Sequence, residues 1–248
     1  DVVCGARNIA AGQHVPVALV GTTMPDGRRI ERAEKMGVAS EGMLCSGKEL
    51  DATDDGEGIL ILDRSAGVGA RLVDVLGEDV IDVDVKPNRG DLLSVLGLAR
   101  EVAAIYGAPV RFLPRSLEES TSKVADGLEL RVGPDSGASR VVLRVVDGIR
   151  VAPAPDRVQM RLKAAGMRSV SNVVDATNYV MLELGKPTNA FDRAAVGARI
   201  EIRRAKAGES IETLDHVSRE LVDDDVVVAD ERAALALAGV MGGASSEV

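Results

Sequence analysis

Between Asn172 and Asp192 the chain reads NVVDATNYVMLELGKPTNAFD, and Asp175, Thr177, Asn178 and Asn189 stand among Val173, Val174, Val180, Met181, Leu182 and Leu184. Small polar side chains in an apolar frame need hydrogen-bond partners, because burying them unpaired is costly. Such a segment either pins its own backbone or lines a pocket that reads a ligand. It has neither the strict alternation of a strand nor the clean stripe of a long surface helix. Gly185 and Pro187 predict a turn at its end.

Other residues suggest chemistry less strongly. Asp82, Asp84 and Asp91 are oxygen donors of the kind a divalent cation takes, yet a solvated strand face and a helix cap account for all three. Gly239, Gly242 and Gly243 lack the GxxxxGK[ST] spacing of a phosphate loop and read as a pocket wall or tight turn. Gly67-Val68-Gly69 is too short for a dinucleotide fingerprint. His14 and His216 have no evident Ser or Cys partner, so a nucleophilic triad is not expected. Cys4 and Cys45 lack metal-ligand spacing and read as reduced, buried thiols. Arg157, Arg161 and Lys163, with Arg168 beyond, form a basic helix face that is either solvated or in contact with RNA phosphates.

Composition limits what these residues can serve. The 248 residues, 46% hydrophobic and 28% charged, predict two or three globular domains and no disordered chain. The net charge of −9 argues against holding RNA mainly by phosphate neutralisation, and two Tyr, two Phe and no Trp leave no base-stacking platform. No apolar run approaches the roughly 20 residues of a membrane span, and no basic, hydrophobic leader is present. Asp1 at one end and Val248 directly after a Gly-rich run at the other predict a stretch cut from a larger protein.

The elements that must position these residues fall into regions. Residues 1–64 read as a small β module of short strands with Gly turns: Val15–Val20, the Met24-Pro25-Asp26-Gly27 turn, Ser40–Cys45 broken at Gly42, and Gly58–Asp63. Residues 65–115 predict a short helix over Val68–Leu76, a half-buried strand of Ile81, Val83 and Val85, and an amphipathic helix from Asp91 to Tyr106, capped by Asp91 and ended by Gly107 and Pro109. In that helix Val95, Leu98, Val102 and Ile105 recur at helical spacing. Residues 116–126 are a polar linker. Residues 127–248 form a mixed α/β region: a strand over Arg140–Val146, a helix begun by Pro155 with Val158, Leu162 and Ala165 inward, strands over Arg199–Arg204 and Asp223–Asp230 separated by a Leu214-Asp215 turn, and an apolar tail running into Gly242-Gly243. On residues alone two function classes stand open. One is an enzyme pocket of Thr177, Asn178, Asn189 and the Gly239 strand; the other is a noncatalytic RNA- or protein-binding scaffold.

Several motifs then converge. Val3-Cys4-Gly5-Ala6-Arg7-Asn8, Ala11-Gly12-Gln13 and Ser40 to Ser46 are followed by Lys86-Pro87-Asn88-Arg89-Gly90-Asp91 and Ser94 to Glu101, a PNRxDxLSxxGxARE-like stretch. With Asn172–Asp192 and Leu237 to Gly243, these make a chain that closely resembles the bacterial phenylalanyl-tRNA synthetase β-subunit family over essentially its whole length. The resemblance implies a multidomain α+β chain: an N-terminally truncated OB-fold β-barrel module of the tRNA-binding kind at 1–64, a small connecting domain at 65–115, and a C-terminally truncated B3/B4 editing domain at 127–248. It implies an α₂β₂ cytoplasmic enzyme that charges tRNA(Phe) with ATP and Mg²⁺, with aminoacylation in the α subunit and no cofactor bound by this stretch. Partners would be the α subunit and tRNA(Phe), with no membrane. The editing domain would hydrolyse Tyr wrongly attached to tRNA(Phe), a sensible task because an apolar pocket rejects an added hydroxyl poorly. Thr177, Asn178, Ala238 and Gly239 would line that site, with backbone and amide groups orienting ester and water in place of a protein nucleophile. If the basic face of Arg157, Arg161 and Lys163 is not simply solvated, it would contact tRNA.

The chain departs from the family where it matters. The family commonly carries His at the position of Asn189; its TLDG turn reads Thr213-Leu214-Asp215-His216; the motif around Arg140 lacks the more usual Cys and Tyr; and an acidic pocket residue lies beyond Val248. Asn cannot take a proton near neutral pH. The expectation is a retained fold with editing weakened or changed, the alternative being an editing-impaired tRNA- or protein-binding scaffold within the same complex.

Overall fold

The computed structural model describes residues 1–112 and 116–248. The chain divides into two compact units, Asp1–Asp84 with Ala154–Val170, and Val85–Pro153 with Ser171–Val248. The boundary expected at 115 falls outside the described residues. The helices of the described residues are α1 (Leu72–Leu76), α2 (Val95–Tyr106), α3 (Asp156–Ala164) and α4 (Asn172–Leu184).

In the first unit, β1 (Val17–Leu19), β2 (Ala33–Lys35), β3 (Val38–Ser40) and β4 (Gly42–Leu44) form two antiparallel ribbons, β1 with β4 and β2 with β3. The expected turn is present: Gly27 N–H donates to the Met24 carbonyl at 2.9 Å, with Gly27 at φ +84°. Ala18, Met24, Ile30 and Cys45 make a small core. Among the described residues no closed barrel is present, which corrects the barrel expected at 1–64. Ribbons of three residues give ladders too short to wrap into a closed sheet. Gly58–Asp63 adds single bonds, Leu60 N–H to Cys45 O at 3.0 Å and Leu62 N–H to His14 O at 2.8 Å, in place of a full strand. α1 is shorter than the Val68–Leu76 helix expected, because Gly69 sits at φ +81° where a right-handed turn cannot run through. α3 follows Pro155 and buries Leu162 fully; Ala165 is its exposed C-cap, not an inward residue, and Gly166 at φ +77° turns the chain out.

The second unit is built on a five-stranded sheet. Its strands are β5 (Glu129–Val132), β6 (Arg199–Arg204), β9 (Val226–Ala229), β10 (Ala234–Leu237) and β11 (Met241–Gly242), in the order β11-β10-β9-β6-β5. The pairings are antiparallel except β5 with β6. β7 (Ser210–Glu212) and β8 (Ser218–Glu220) form a separate ribbon. Period-two alternation divides the sheet residues between two cores. Ile200, Ile202 and Leu235 pack with Leu128 and Val196, while Val227, Ala229 and Ala234 pack with Ile211 and Leu221.

Three expectations fail in this unit or at its border. Ile81 to Val85 and Arg140 to Val146 enter no ladder among the described residues, and Ile81 is 83% exposed. Alternation in sequence marks a strand-competent segment; only a neighbour makes it a strand. α2 begins at Val95, not Asp91, because Ser94 supplies the cap and accepts from Gly97 N–H at 3.0 Å. Asp91 instead pairs with Arg89, whose guanidinium also reaches Glu101 at 2.7 Å. Of the apolar positions expected to form the inner face of α2, only Leu98 is half-buried; Val95, Val102 and Ile105 are exposed, and Gly97 is buried.

Candidate functional site

α4 carries the focal polar residues. Ser171 caps it in extended backbone and accepts from Val174 N–H at 3.3 Å; Gly185 ends it at φ +69°, donating to Met181 O at 2.8 Å. Asn172 ties the first turn to the preceding segment. Its backbone N–H donates to Ala152 O at 2.8 Å and its side-chain amide to Arg150 O at 3.0 Å. Asp175 is completely buried in the first turns, where a carboxylate suits the positive end of the helix dipole. Asp175, the first residue of the polar pattern that the sequence displays, thus has a structural role.

Thr177 and Asn178 are half-buried on the next turn. Thr177 Oγ1 donates to Val174 O at 2.7 Å, so its proton is committed and its lone pairs remain. The Asn178 side chain makes no hydrogen bond among the described residues and presents both donor and acceptor. Asn189 lies exposed in the coil after α4, its amide likewise without a partner among the described residues. Ala238 and Gly239 form the β10–β11 turn. Ala238 N–H donates to Val226 O at 2.8 Å, and Gly239 is exposed at φ +72° with open space where a Cβ would stand.

These five residues share one unit, but no hydrogen bond among the described residues joins the α4 pair to the turn pair. α4 packs on α2, with Gly185 against Ser94, where a Cβ would come within 3.3 Å of the Ser94 side chain. The hairpin packs on the β7–β8 ribbon: Leu214 N–H donates to Gly242 O at 3.1 Å, and Thr213 bridges Gly243. A Cβ on Gly243 would lie 2.7 Å from the Leu235 carbonyl. Gly242-Gly243 therefore serves close approach of another segment, one of the two uses open from sequence.

A network invisible to motif reading anchors that ribbon. Buried Thr213 donates to Asp215 Oδ1 at 2.5 Å, and Arg219 binds both Asp215 oxygens at 2.8 Å and the Thr213 hydroxyl. The Arg219 guanidinium, then the Thr213 hydroxyl, hold the Asp215 carboxyl far below the usual carboxylate range. His216 occupies a left-handed φ of +58° in this turn.

The basic face of α3 lies in the first unit beside an open cavity of about 1330 Å³ floored by Leu60, Leu62, Val75 and Met160. Arg161 is paired with Glu78 at 2.8 Å and Lys163 with Asp51 at 2.6 Å; Arg157 makes no ion pair among the described residues. No cluster of His, Cys, Asp and Glu among the described residues has metal-site geometry, so Asp82, Asp84 and Asp91 do not come together as ligands. Cys4 and Cys45 are free thiols; Cys45 is buried, which pushes its thiol pKa up, whereas Cys4 is only partly so. No helix among the described residues is long and apolar enough to cross a membrane.

Residues 137–248 match the B3/4 domain family. Over its entire length the chain is similar to curated phenylalanine–tRNA ligase β subunits. It is 46% identical over 251 residues to that of Nitratidesulfovibrio vulgaris and covers 32% of it. It is 46% identical over 251 residues to that of Anaeromyxobacter dehalogenans, covering 31%, and 48% identical over 258 residues to that of Moorella thermoacetica, covering 32%. The chain thus spans about a third of the length of the curated relatives it matches.

Proposed function

We propose, from the premise that this chain is a segment of the phenylalanine–tRNA ligase β-subunit family with a B3/4 domain, that it carries the site at which that enzyme clears mischarged tRNA(Phe). The whole enzyme would pair this subunit with an α subunit as α₂β₂ in the cytoplasm, charging tRNA(Phe) with ATP and Mg²⁺. Neither ATP nor Mg²⁺ is assigned to residues of this stretch. The first 64 residues would be the tRNA-binding OB-like module, here present as open ribbons, followed by the connecting domain at 65–115, the linker at 116–126 and the editing-type domain at 127–248.

The observation that carries the editing reading is Asn178, a half-buried amide without a protein partner among the described residues, in the second turn of a helix whose other short polar residues are engaged. An amide so placed can accept from a tyrosyl hydroxyl or donate to an ester carbonyl. Thr177 lone pairs and the bare backbone at Ala238-Gly239 would complete the wall. Catalysis would rest on orienting a water and stabilising developing charge, since none of these groups exchanges a proton near neutral pH. The test is deacylation of Tyr-tRNA(Phe) by the intact complex with Asn178→Ala. A fall in deacylation with unchanged charging of Phe supports the site; equal deacylation by wild type and variant removes it.

A second reading has its own observation. Asn189, exposed in coil, stands where the family commonly has His, so a proton-transfer group is missing. On that reading the domain is an editing-impaired scaffold for tRNA or protein. Failure of the wild-type complex to deacylate Tyr-tRNA(Phe) faster than buffer would favour it.

A further inference from the structure

The β10–β11 hairpin carries Ala238 and Gly239 at its tip. Val240 N–H donates to Leu237 O at 3.0 Å, which closes the tip as a four-residue turn with Gly239, at φ +72°, in its third position. The arm beyond the tip is short. β11 makes two register pairs with β10, Ala236 with Gly242 and Leu237 with Met241. So brief a ladder does not hold a hairpin by itself. On one side Ala238 N–H ties the tip to Val226 O at 2.8 Å. On the other side the support is the turn at 213–217. Leu214 N–H donates to Gly242 O at 3.1 Å, Thr213 bridges Gly243, and Ile211 Cδ1 would stand 3.1 Å from a Cβ on Gly243.

Arg219 fixes that turn. Its guanidinium spans both Asp215 oxygens at 2.8 Å and donates to the Thr213 hydroxyl, which in turn donates to Asp215 Oδ1 at 2.5 Å. Thr213 is completely buried, yet the Arg219 and Asp215 side chains are 37% and 41% exposed. An ion pair so exposed adds little to stability. A bidentate fork still fixes geometry. The geometry points to Arg219 as a positioning residue for the proposed hydrolytic site: through Asp215 and Thr213 it sets where β11 lies, and so where the backbone of Ala238-Gly239 stands against the ester. The clamp itself is independent of the editing reading; its effect on hydrolysis rests on that reading. A wall displaced by about 1 Å can cost about 100-fold in rate. Affinity for tRNA comes mainly from phosphate contacts elsewhere, so the loss falls on kcat and not on KM. Lysine at 219 keeps the charge but cannot span two carboxylate oxygens and a hydroxyl, and methionine keeps only the apolar stem.

Arg219→Met and Arg219→Lys in the intact complex test this by hydrogen–deuterium exchange and by deacylation of Tyr-tRNA(Phe). In Arg219→Met the amides of Leu214 and Gly243 should exchange about 10-fold faster or more. The kcat of deacylation should fall about 10-fold or more, with KM within about 2-fold and Phe charging retained. Arg219→Lys should lie between wild type and Arg219→Met on both readouts. Unchanged exchange in both variants overturns the clamp. Faster exchange with kcat unchanged, or with a rise in KM alone, overturns the positioning role. If Arg219→Met does not assemble, Arg219→Lys against wild type decides on the same two readouts. Wild-type deacylation at the buffer rate ends the editing reading alone, and exchange at Leu214 and Gly243 then still decides the clamp.

Discussion

Arg203 and Glu209 are each only 12% exposed and joined by two bonds, at 2.7 and 2.8 Å, while Glu209 also accepts from Lys206 N–H. Removing one partner leaves a charge buried without compensation. Arg203→Met should therefore cost about 3–5 kcal/mol in denaturant unfolding, and a loss under about 1 kcal/mol would mean the pair is solvated in solution. The Arg203 guanidinium lowers the Glu209 pKa from its ordinary 4.5. A carboxyl lowered on folding stabilises fully above its unfolded value and loses that contribution as pH falls through its folded one. Wild type should thus lose stability below about pH 4.5 more steeply than Arg203→Met. In the candidate site, Asn178→Ala should slow Tyr-tRNA(Phe) deacylation by about 10-fold or more, the scale of losing one positioned hydrogen-bonding group. Asn189→His would restore a group that titrates near pH 6.5, so its deacylation should rise with pH through that region. A flat profile at wild-type rate would place residue 189 outside the chemistry.

At the scale of elements, two glycine questions give opposite substitutions. A Cβ on Gly97 would lie 1.8 Å from the Asp91 carbonyl oxygen, with backbone on both sides of the contact. Gly97→Ala should displace the Gly90–Leu92 turn from α2 and cost about 1–3 kcal/mol, measured by thermal unfolding. His216 holds a left-handed backbone position that glycine adopts freely, and its bond to Glu212 is an exposed one. His216→Gly should stabilise by about 1 kcal/mol, and a fall in melting temperature would show that the imidazole contact outweighs the backbone strain. The same elements show what was legible. β6 was readable residue for residue because Ile200 and Ile202 alternate against charged neighbours, and α3 because Pro155 and Gly166 bracket it. β5 was not, since Glu129 and Arg131 carry no core signal and its place depends on parallel pairing with distant β6. α4 was obscured because Asn172, Thr177 and Asp175 answer to a tie to the preceding segment, back-bonding and burial at once. Thr177, Asn178 and the Gly239 turn were legible as unusual. That α4 packs on α2 while the hairpin packs on β7–β8 depends on tertiary contacts that no spacing encodes.

The molecule as a whole carries a net charge of −9, and two of the three basic residues on α3 already hold acids. On the function proposed above, tRNA binding through this face would draw mainly on Arg157. In the intact complex, Arg157→Ala should lower the salt slope of tRNA binding by about 1, whereas Arg161→Ala should change it by less. Equal effects from both would mean that Arg161 leaves Glu78 for a phosphate. The division into units has a mechanical consequence. The backbone leaves one unit for the other at 84–85, returns at 153–154 and leaves again at 170–171. A protease that cuts any one of these junctions leaves two covalent tethers intact, so a single nick cannot liberate either half. Limited digestion should give fragments that separate on a denaturing gel and still travel together through a sizing column.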